Sequence, residues 1–309
     1  MLAFAWAMAT ELRGEEATSE APPPPGFSLK KMELGPGQLD VGGSFRLRGE
    51  YMDNVNVRGY GEGKSDSLLL FRTRLNFEYR LPDNGPRARV EFQDSRYTWS
   101  DLGKETWRRN APYRDESDLK EAYLEWRGIG GSPFGFKAGR QAIKYGDRHV
   151  FGPGDWGNVG KFWWDAVKLM WETDLGQLDL LYGRRVTSRP VRPNTTHFPF
   201  EMYTAYFQGK KIKSSDLTLK PDVFYVFKED DSGTLKGEEG TGDERIHSFG
   251  FLVEGQWGPG WDFGGTLIGQ TGEYGGDDVK AFNAVARAGH TWTDLLWEPR
   301  LAAEVNYGR

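Results

Sequence analysis

The sequence predicts an all-β protein, specifically an antiparallel transmembrane β-barrel. Residues 66–81, DSLLLFRTRLNFEYRL, alternate from position 69 onward between mainly apolar residues and polar ones. Successive side chains of a strand point to opposite faces, so this ribbon has one apolar and one charged face. Aromatic residues make up 14 % of the 309 residues, as expected where rings form girdles at both membrane interfaces. Short turns alternate with longer polar loops, which is typical of outer-membrane barrels.

A soluble secreted β-sandwich that binds carbohydrate is the alternative, because a soluble sheet with one solvated face has the same alternation. The two interpretations place the apolar face in a core or in lipid, and the charges in solvent or in a lumen. A lipid-facing belt should hold no Lys or Arg near mid-strand, and the first three predicted strands meet this condition. The lysine cluster Lys210, Lys211 and Lys213 must then lie at a strand end. The mean hydropathy of the chain is −0.66. No run of apolar residues in it approaches the roughly 18 that a membrane helix requires.

The N-terminal part is predicted to lie outside the barrel. Residues 1–9, MLAFAWAMA, are apolar and end in the small-x-small pattern of a signal-peptide cleavage site, so we expect a signal-peptide remnant; a frayed helix is the alternative. Residues 10–38 are polar and proline-rich and are predicted to be a linker or N-terminal extension. The barrel domain is predicted over residues 39–309. The odd strand count and the end of the chain in mid-pattern lead us to expect a C-terminally truncated sequence.

Thirteen strands with almost no helical periodicity are predicted along the chain. Residues 81–86 have the composition of a tight turn. Residues 53–64 are predicted to be a turn-like loop, and residues 95–117 a longer polar loop. Residues 230–245 are acidic and glycine-rich and are predicted to be an exposed loop. The strands are predicted at 39–51, 66–81, 87–93, 120–126, 134–143, 166–173, 177–186, 201–212, 217–227, 246–257, 261–271, 280–292 and 297–307.

The middle of the chain contains an ordered series of motifs: ARVEFQDSR at 88–96, LKEAYLE at 119–125, GRQAIKYGDR at 139–148, WGN at 156–158 and FWWDAV at 162–167. This order resembles the alginate export family of bacterial outer-membrane porins, over about residues 39–186. Its most specific residues are Gly139, Arg140, Gln141, Tyr145, Gly146, Asp147, Arg148, Trp156 and Asp165.

The resemblance implies a monomeric barrel of about 18 strands in the bacterial outer membrane. Such a barrel passes an anionic polyuronate through an arginine-rich constriction. Many members of the family have a substrate other than alginate, so the resemblance specifies the fold better than the cargo. A general or small-anion porin of the same fold is therefore the alternative function.

An arginine-rich lumen suits a polyuronate, because arginine stays protonated and its planar fork binds carboxylates bidentately. Rings of Arg and Lys line known anion pores. Glutamates of the same parity, such as Glu78 and Glu91, would keep the arginines apart. The alternative role for each cation is pairing across strands to brace the wall. The predicted pore-lining, substrate-binding residues are Arg46, Arg48, Arg72, Arg74, Arg89, Lys137, Arg140, Arg148, Lys168 and Arg185.

Two parts of the motif series have alternative structural roles. Arg140, Asp147 and Arg148 could equally form a network that folds an inner loop. Trp156, Trp163 and Trp164 could stack on sugar rings, although an aromatic girdle is the favoured interpretation.

Other functional classes find little support in the sequence. The absence of cysteine excludes disulfides, thiolate catalysis and cysteine-based metal sites. The four histidines lack the spacing of a metal site or a nucleophilic triad, so we expect no enzyme. A net charge of −5 does not indicate nucleic-acid binding. No cofactor is expected: Asp230-Asp231 and Asp277-Asp278 could hold calcium, but solvated turns are favoured. The predicted partners are an anionic polysaccharide or oligosaccharide and outer-membrane lipid.

Overall fold

The described part of the chain forms a single antiparallel β-sheet of 16 strands. The computed structural model describes residues 28–54, 63–101, 113–146, 150–152, 154, 157–160 and 163–309. No helix in this part of the chain is long and apolar enough to span a membrane. The strands are β1 (Ser28–Leu34), β2 (Gly37–Met52), β3 (Asp66–Arg80), β4 (Arg87–Thr98), β5 (Asp115–Trp126), β6 (Phe134–Ala142), β7 (Trp163–Glu172), β8 (Gly176–Thr187), β9 (Thr195–Thr196), β10 (Phe200–Gly209), β11 (Ile212–Ser214), β12 (Leu217–Lys236), β13 (Thr241–Trp257), β14 (Trp261–Tyr274), β15 (Asp277–Thr291) and β16 (Arg300–Gly308).

The strands form an up-and-down meander in which each long strand pairs with the next one along the chain. Two short strands leave this path, since β9 pairs only with β8 and β11 only with β12. Within the described residues, β1 and β16 are the two edges of the sheet. Because sequential hairpins join nearly all strands, the side-chain alternation of each strand continues onto its neighbour.

The thirteen predicted strands are confirmed as β2 to β8, β10 and β12 to β16. The short strands β1, β9 and β11 were not predicted, and β1 lies inside the segment 10–38 that was predicted to be a linker. Residues 1–27, with the predicted signal-peptide remnant, lie outside the described residues.

The predicted exposed loop at 230–245 is wrong in its extent. Strand β12 runs on to Lys236 and β13 begins at Thr241, with Leu235 opposite Gly242 and only a short turn between the strands. The reason is that pairing with the partner strand outweighs the low strand propensity of Gly and Asp.

The two faces of the sheet have the opposite polarity to those of a soluble protein. Leu47 and Leu169 are 54 % and 55 % exposed, whereas Arg72, Glu91 and Gln93 are 6 %, 7 % and 2 % exposed. A soluble sheet buries its apolar face, and a transmembrane barrel turns that face to lipid. The sheet therefore has the side-chain arrangement of a transmembrane barrel wall, and the alternative of a soluble β-sandwich is not supported. We call the polar, buried side the inner face.

Strand ends at the short turns hold the residues expected at a membrane interface. Trp171 is the penultimate residue of β7, and Trp257 and Trp261 flank the turn between β13 and β14; all three are exposed. Lys210 and Lys211 follow the end of β10. The prediction that the lysine cluster lies at a strand end is correct for these two residues, whereas Lys213 lies within the three-residue strand β11.

The described residues of the connection between β6 and β7, which are 143–146, 150–152, 154 and 157–160, lie against the inner face. We call them the inner segment. Its Tyr145 ring stacks on Tyr206 of β10 with ring centroids 4.1 Å apart, and Phe151 meets Phe224 of β12 edge-on at 6.3 Å. These rings belong to the main apolar cluster of the described residues. The inner segment therefore occupies space that the wall encloses on one side.

Candidate functional site

The inner face of β2, β3 and β4 holds a dense array of arginines. Antiparallel register places Arg46 opposite Arg72, and Arg72 opposite Ser95. Two residues beyond Arg72 along β3, toward the short turn, Arg74 lies opposite Gln93. The predicted parity of these residues is confirmed, since strand alternation puts them on one face.

Carboxylates on the same face neutralise most of these guanidinium groups. Arg89 lies 2.9 Å from Glu121, 2.6 Å from Glu91 and 3.6 Å from Glu78. Arg74 donates to Gln93 at 2.8 Å and lies 3.6 Å from Glu91. This network braces three neighbouring strands, and its cations are already charge-compensated.

The pairing extends to both ends of the array. Arg48 lies 2.6 Å from Glu50 toward the long-loop end. Toward the short turns, Arg80 lies 2.9 Å from Asp40 and Arg87 lies 2.8 Å from Glu125. A charged network of this kind fixes the geometry of the strands, because several neighbouring partners hold each side chain in position.

Two of the predicted pore-lining arginines bind the inner segment. Arg46 and Arg72 donate to the carbonyl oxygen of Gly157, at 3.0 and 3.1 Å. Two charge-assisted donors on one carbonyl form a strong attachment in a half-buried site. In this structure both residues therefore hold the inner segment to the wall.

Asn158 completes the attachment at this end of the inner segment. Its side-chain amide, which is fully buried, donates to the carbonyl oxygens of Phe71, Arg96 and Tyr113 at 3.1, 3.0 and 2.7 Å. Ser95 donates back to the carbonyl of Asn158 at 2.9 Å. The residue thus joins the inner segment to β3, to β4 and to the approach to β5.

The other end of the inner segment is held by Tyr145. Its hydroxyl donates to Asp179 of β8 at 2.6 Å, and Lys168 of β7 approaches the same carboxylate at 3.1 Å. Burial and the adjacent Asp179 raise the pKa of Tyr145 well above its usual value, so the phenol stays protonated as a donor. Lys168, a predicted pore-lining residue, is engaged in this contact.

The motif residues at the end of β6 and at the start of the inner segment have backbone and packing roles. Gly139 has φ +122°, and a Cβ there would collide with the carbonyl oxygen of Ala122. Gly146 has φ +52°, and a Cβ there would lie 2.9 Å from the hydroxyl oxygen of Tyr206. Gln141 is buried and donates to the carbonyl of Ala166 at 3.0 Å. Asp147, Arg148 and Trp156 lie outside the described residues.

Arg140 does not lie on the inner face. Strand alternation places it on the same face as exposed Phe134 and opposite to Lys137. It binds Asp165 through two contacts of 2.8 and 3.1 Å, and Thr196 donates to the same carboxylate at 2.5 Å. This position contradicts the prediction that Arg140 lines the pore. Arg140 follows Lys137 by three residues, and only residues an even number of positions apart lie on the same face of a strand.

The remaining predicted cations contact aromatic rings. Lys137 lies over Tyr123 at 3.6 Å, and Arg185 lies over Phe200 at 5.1 Å. Trp163 and Trp164 are both buried. The preference for an aromatic girdle at these two positions is therefore wrong. Trp164 packs on Phe200 of β10 with ring centroids 5.7 Å apart, and the Lys120 ammonium of β5 lies over the Trp163 ring at 5.1 Å.

The aspartate pairs have partners within the chain. Asp230 lies 3.0 Å from His197, and Asp277 accepts the backbone N–H of Glu239 at 3.1 Å. The described residues contain no group of three or more His, Asp or Glu side chains arranged to hold a metal ion.

Sequence reasoning missed two residues of this region. Asn158 stands in the motif WGN without a predicted role of its own, because a polar residue in a connection gives no distinct sequence signal. Lys228 lay one residue beyond the predicted end of its strand. The alternation of Lys220, Asp222, Phe224, Val226 and Lys228 would have placed it on the inner face.

Comparisons with known proteins agree with the geometry. Residues 37–309 match the family model described as "Alginate export". No curated protein matches the sequence. One solved structure that resembles the chain, titled "Salmonella typhi OmpF complex with Daunomycin", is 10 % identical, with 91 % of this chain and 100 % of that chain covered. The TM-score is 0.38, which is too low to support an argument about this chain.

Proposed function

The chain belongs to the alginate export family, and we propose that it is an outer-membrane export porin for an anionic polysaccharide or oligosaccharide. Transport is by facilitated diffusion through the lumen of a monomeric barrel, without covalent chemistry. An alginate-like polyuronate, with one carboxylate on each sugar, is the proposed cargo class.

The inside-out sheet with an arginine-rich inner face is the observation that supports this function. Apolar side chains such as Leu47 and Leu169 face outward, where lipid solvates them. Arg74 and Arg89 face the opposite side, among carboxylates. A cation that already has a carboxylate partner can exchange it for a sugar carboxylate, so cargo is attracted without a deep well that would trap it.

The inner segment supports a lumen that is narrowed and selective. Its described residues contact β3 and β4 at one end and β8, β10 and β12 at the other. A chain segment held across the inner face reduces the cross-section open to cargo. An extended single polysaccharide chain passes such a space more readily than a folded protein.

A general porin for small anions is the second candidate, and charge compensation favours it. Arg89 has three glutamates within 3.6 Å, so the array adds little net positive charge. A balanced wall gives weak anion preference and no binding of a polyuronate. The two candidates therefore differ in whether oligouronates block the current.

The experiment records single-channel currents in planar bilayers from protein purified from outer membranes. For the polyuronate porin, we expect anion preference and concentration-dependent block by oligomannuronate. In the Arg74→Ser, Arg89→Ser double variant, the freed glutamates should shift the reversal potential toward cations and weaken the block. The control is Arg245→Ser, an arginine that lies outside the inner face and pairs with Glu229 at 3.1 Å, and it should leave both properties unchanged. A current that oligomannuronate does not block would favour the general porin.

A further inference from the structure

The connection between β15 and β16, residues 292–299 with the sequence WTDLLWEP, exposes an apolar run on the short-turn side of the sheet. Leu295, Leu296 and Trp297 are 51 %, 79 % and 90 % exposed, and the last two are the most exposed large apolar side chains of the described residues. Single exposed apolar side chains are common on protein surfaces. Three consecutive ones indicate a surface that a partner covers.

The other connections on the short-turn side have a different composition. Residues 81–86 read LPDNGP, residues 173–175 read TDL and residues 258–260 read GPG. Each of the other short-turn connections contains at most one large aliphatic or aromatic residue. The apolar run is therefore a feature of this connection and not of the whole short-turn side.

Both ends of the connection join a row of side chains on the lipid-facing side of the sheet. Trp257 lies opposite Trp261, Trp261 opposite His290, and His290 opposite Leu301, in the registers of β13 to β16. The Trp292 ring meets the His290 ring edge-on, with centroids 4.8 Å apart. The connection thus continues the lipid-facing side at the level where aromatic rings mark the membrane interface.

The base of the connection is fixed. Arg300 binds Asp262 through two contacts of 2.8 and 3.2 Å. Gly289 of β15 lies between them, and a Cβ there would collide with the Arg300 guanidinium. The backbone N–H of Trp292 donates to the carbonyl oxygen of Pro299 at 3.0 Å, which closes the connection. The apolar run is therefore held out from a braced pair of strands.

The backbone beside the run is unfavourable for the residues that occupy it. Trp297 has φ +69° and Glu298 has φ +42°, in the left-handed region that glycine and asparagine adopt most readily. A turn with no further role would be more stable with one of those residues at position 297. A large ring that is kept in this conformation and is almost fully exposed indicates a contact outside the chain.

We propose that Leu295, Leu296 and Trp297 form a membrane anchor. The run inserts into the interfacial region of the leaflet on the short-turn side, and its partner is the glycerol and upper acyl region of phospholipids. Tryptophan is favoured at this depth, because its ring is apolar and its N–H can reach a polar partner. Asp294 and Glu298 flank the run and keep their charges toward water.

The proposal commits to lipid rather than to a protein groove because the run continues a row that lipid already covers. The tryptophans at 257 and 261 are exposed on that row, and the connection begins from the ring stacked beside them. The anchor goes beyond the transport function and holds for either cargo, since it depends only on the membrane orientation of the sheet.

The test uses the absence of cysteine from the chain, which lets one introduced cysteine carry a label. Leu296→Cys is labelled with the polarity-sensitive fluorophore NBD in the full chain, in phosphatidylcholine vesicles with and without brominated acyl chains. Asp174→Cys is the matched control, an exposed position in the connection between β7 and β8 on the same side. Leu295→Cys repeats the measurement if Leu296→Cys does not fold.

We expect the label at 296 to show blue-shifted emission and strong quenching by the brominated lipid. The label at 174 should emit as in water and be quenched by soluble iodide instead. Emission and quenching at 296 that match those at 174 would overturn the proposal. A label at 296 that neither iodide nor brominated lipid quenches would overturn it as well, because protein would then cover the run.

A second measurement separates the lipid contact from the backbone conformation. Trp297→Asn and Glu298→Asn make the same change at adjacent left-handed positions. In vesicles, Glu298→Asn should keep or raise the urea unfolding midpoint, because asparagine tolerates this backbone. Trp297→Asn should lower the midpoint, because the lipid contact of the ring is lost. A midpoint that rises equally in both variants would contradict the anchor.

Discussion

Removal of the Asn158 side chain is the most direct perturbation of the inner segment. Its amide lies within 3.1 Å of three carbonyl oxygens in a fully buried position. The amide has two hydrogens, so it satisfies two carbonyls fully or three in part. Loss of two buried hydrogen bonds at about 1–1.5 kcal/mol each predicts a loss of about 2–3 kcal/mol in the free energy of unfolding for Asn158→Ala.

Two related variants sharpen this estimate. The Oδ1 atom of Asn158 has no hydrogen-bond partner among the described residues, so its removal relieves a desolvated acceptor and favours the lower end of the range. Asn158→Asp places a carboxylate against three carbonyls and should cost more, about 3–5 kcal/mol, as an uncompensated buried charge does. Asn283→Ala is the control, since the partly exposed Asn283 donates one side-chain hydrogen bond, to Asn306 at 2.8 Å, and the change should alter stability by less than about 0.5 kcal/mol.

The assay is urea unfolding of the protein in lipid vesicles, followed by tryptophan fluorescence, together with single-channel recording. Release of the inner segment at this end should raise the conductance and the open-channel noise of Asn158→Ala. Unchanged conductance together with a midpoint equal to that of Asn283→Ala would refute the conclusion that Asn158 anchors the inner segment.

Three further predictions concern the wall and its packing. Leu169→Arg should destabilise the protein in vesicles by about 2–4 kcal/mol, because Leu169 faces lipid near mid-strand. The control Glu172→Arg, at the exposed end of the same strand, should be nearly neutral. Equal urea unfolding midpoints for the two variants would argue against the membrane orientation. Gly250→Ala should lower the folded fraction on heat-modifiable electrophoresis, since its Cβ would collide with the Phe224 ring. In the control Gly269→Ala the added Cβ has no atom within 4 Å, so this variant should fold like wild type. Equal folded fractions for the two variants would contradict the packing of Gly250 against Phe224. Tyr145→Phe should lower the free energy of unfolding by about 1–2 kcal/mol, because the hydrogen bond to Asp179 is lost. Tyr145→Ala should lower it by about 3–5 kcal/mol, because the stack on Tyr206 is lost as well. Equal losses in the two variants would show that the stack contributes nothing to stability.

The strands were predictable because their signal is local. Alternation in segments such as 66–81 needs only the period of an extended chain, and the thirteen strands derived from it are present. The short strands β9 and β11 span two and three residues, too few for any period to register. Strand β12 exceeded its prediction because pairing with β13 carries Gly and Asp residues into the sheet.

The candidate site was predictable in its parity and not in its partners. Alternation placed Arg46, Arg72 and Arg89 on one face. It could not show that Arg46 and Arg72 bind Gly157, because Arg46 and Gly157 are 111 positions apart in the chain. It also could not show that Arg89 contacts three glutamates, since alternation gives the face of a side chain and not its distance from a neighbour such as Glu91. Arg140 shows the converse, since its charge and motif favoured the lumen while its parity put it on the other face.

The sequence by itself determined the strand pattern, the family resemblance and the existence of one apolar and one charged face. All three depend on the order of neighbouring residues. Only the tertiary structure decided which face is buried, since alternation is identical for a soluble sheet and for a membrane wall. It also decided which cations are neutralised and where the inner segment lies, because charge compensation and packing depend on distances between strands that lie far apart in the chain.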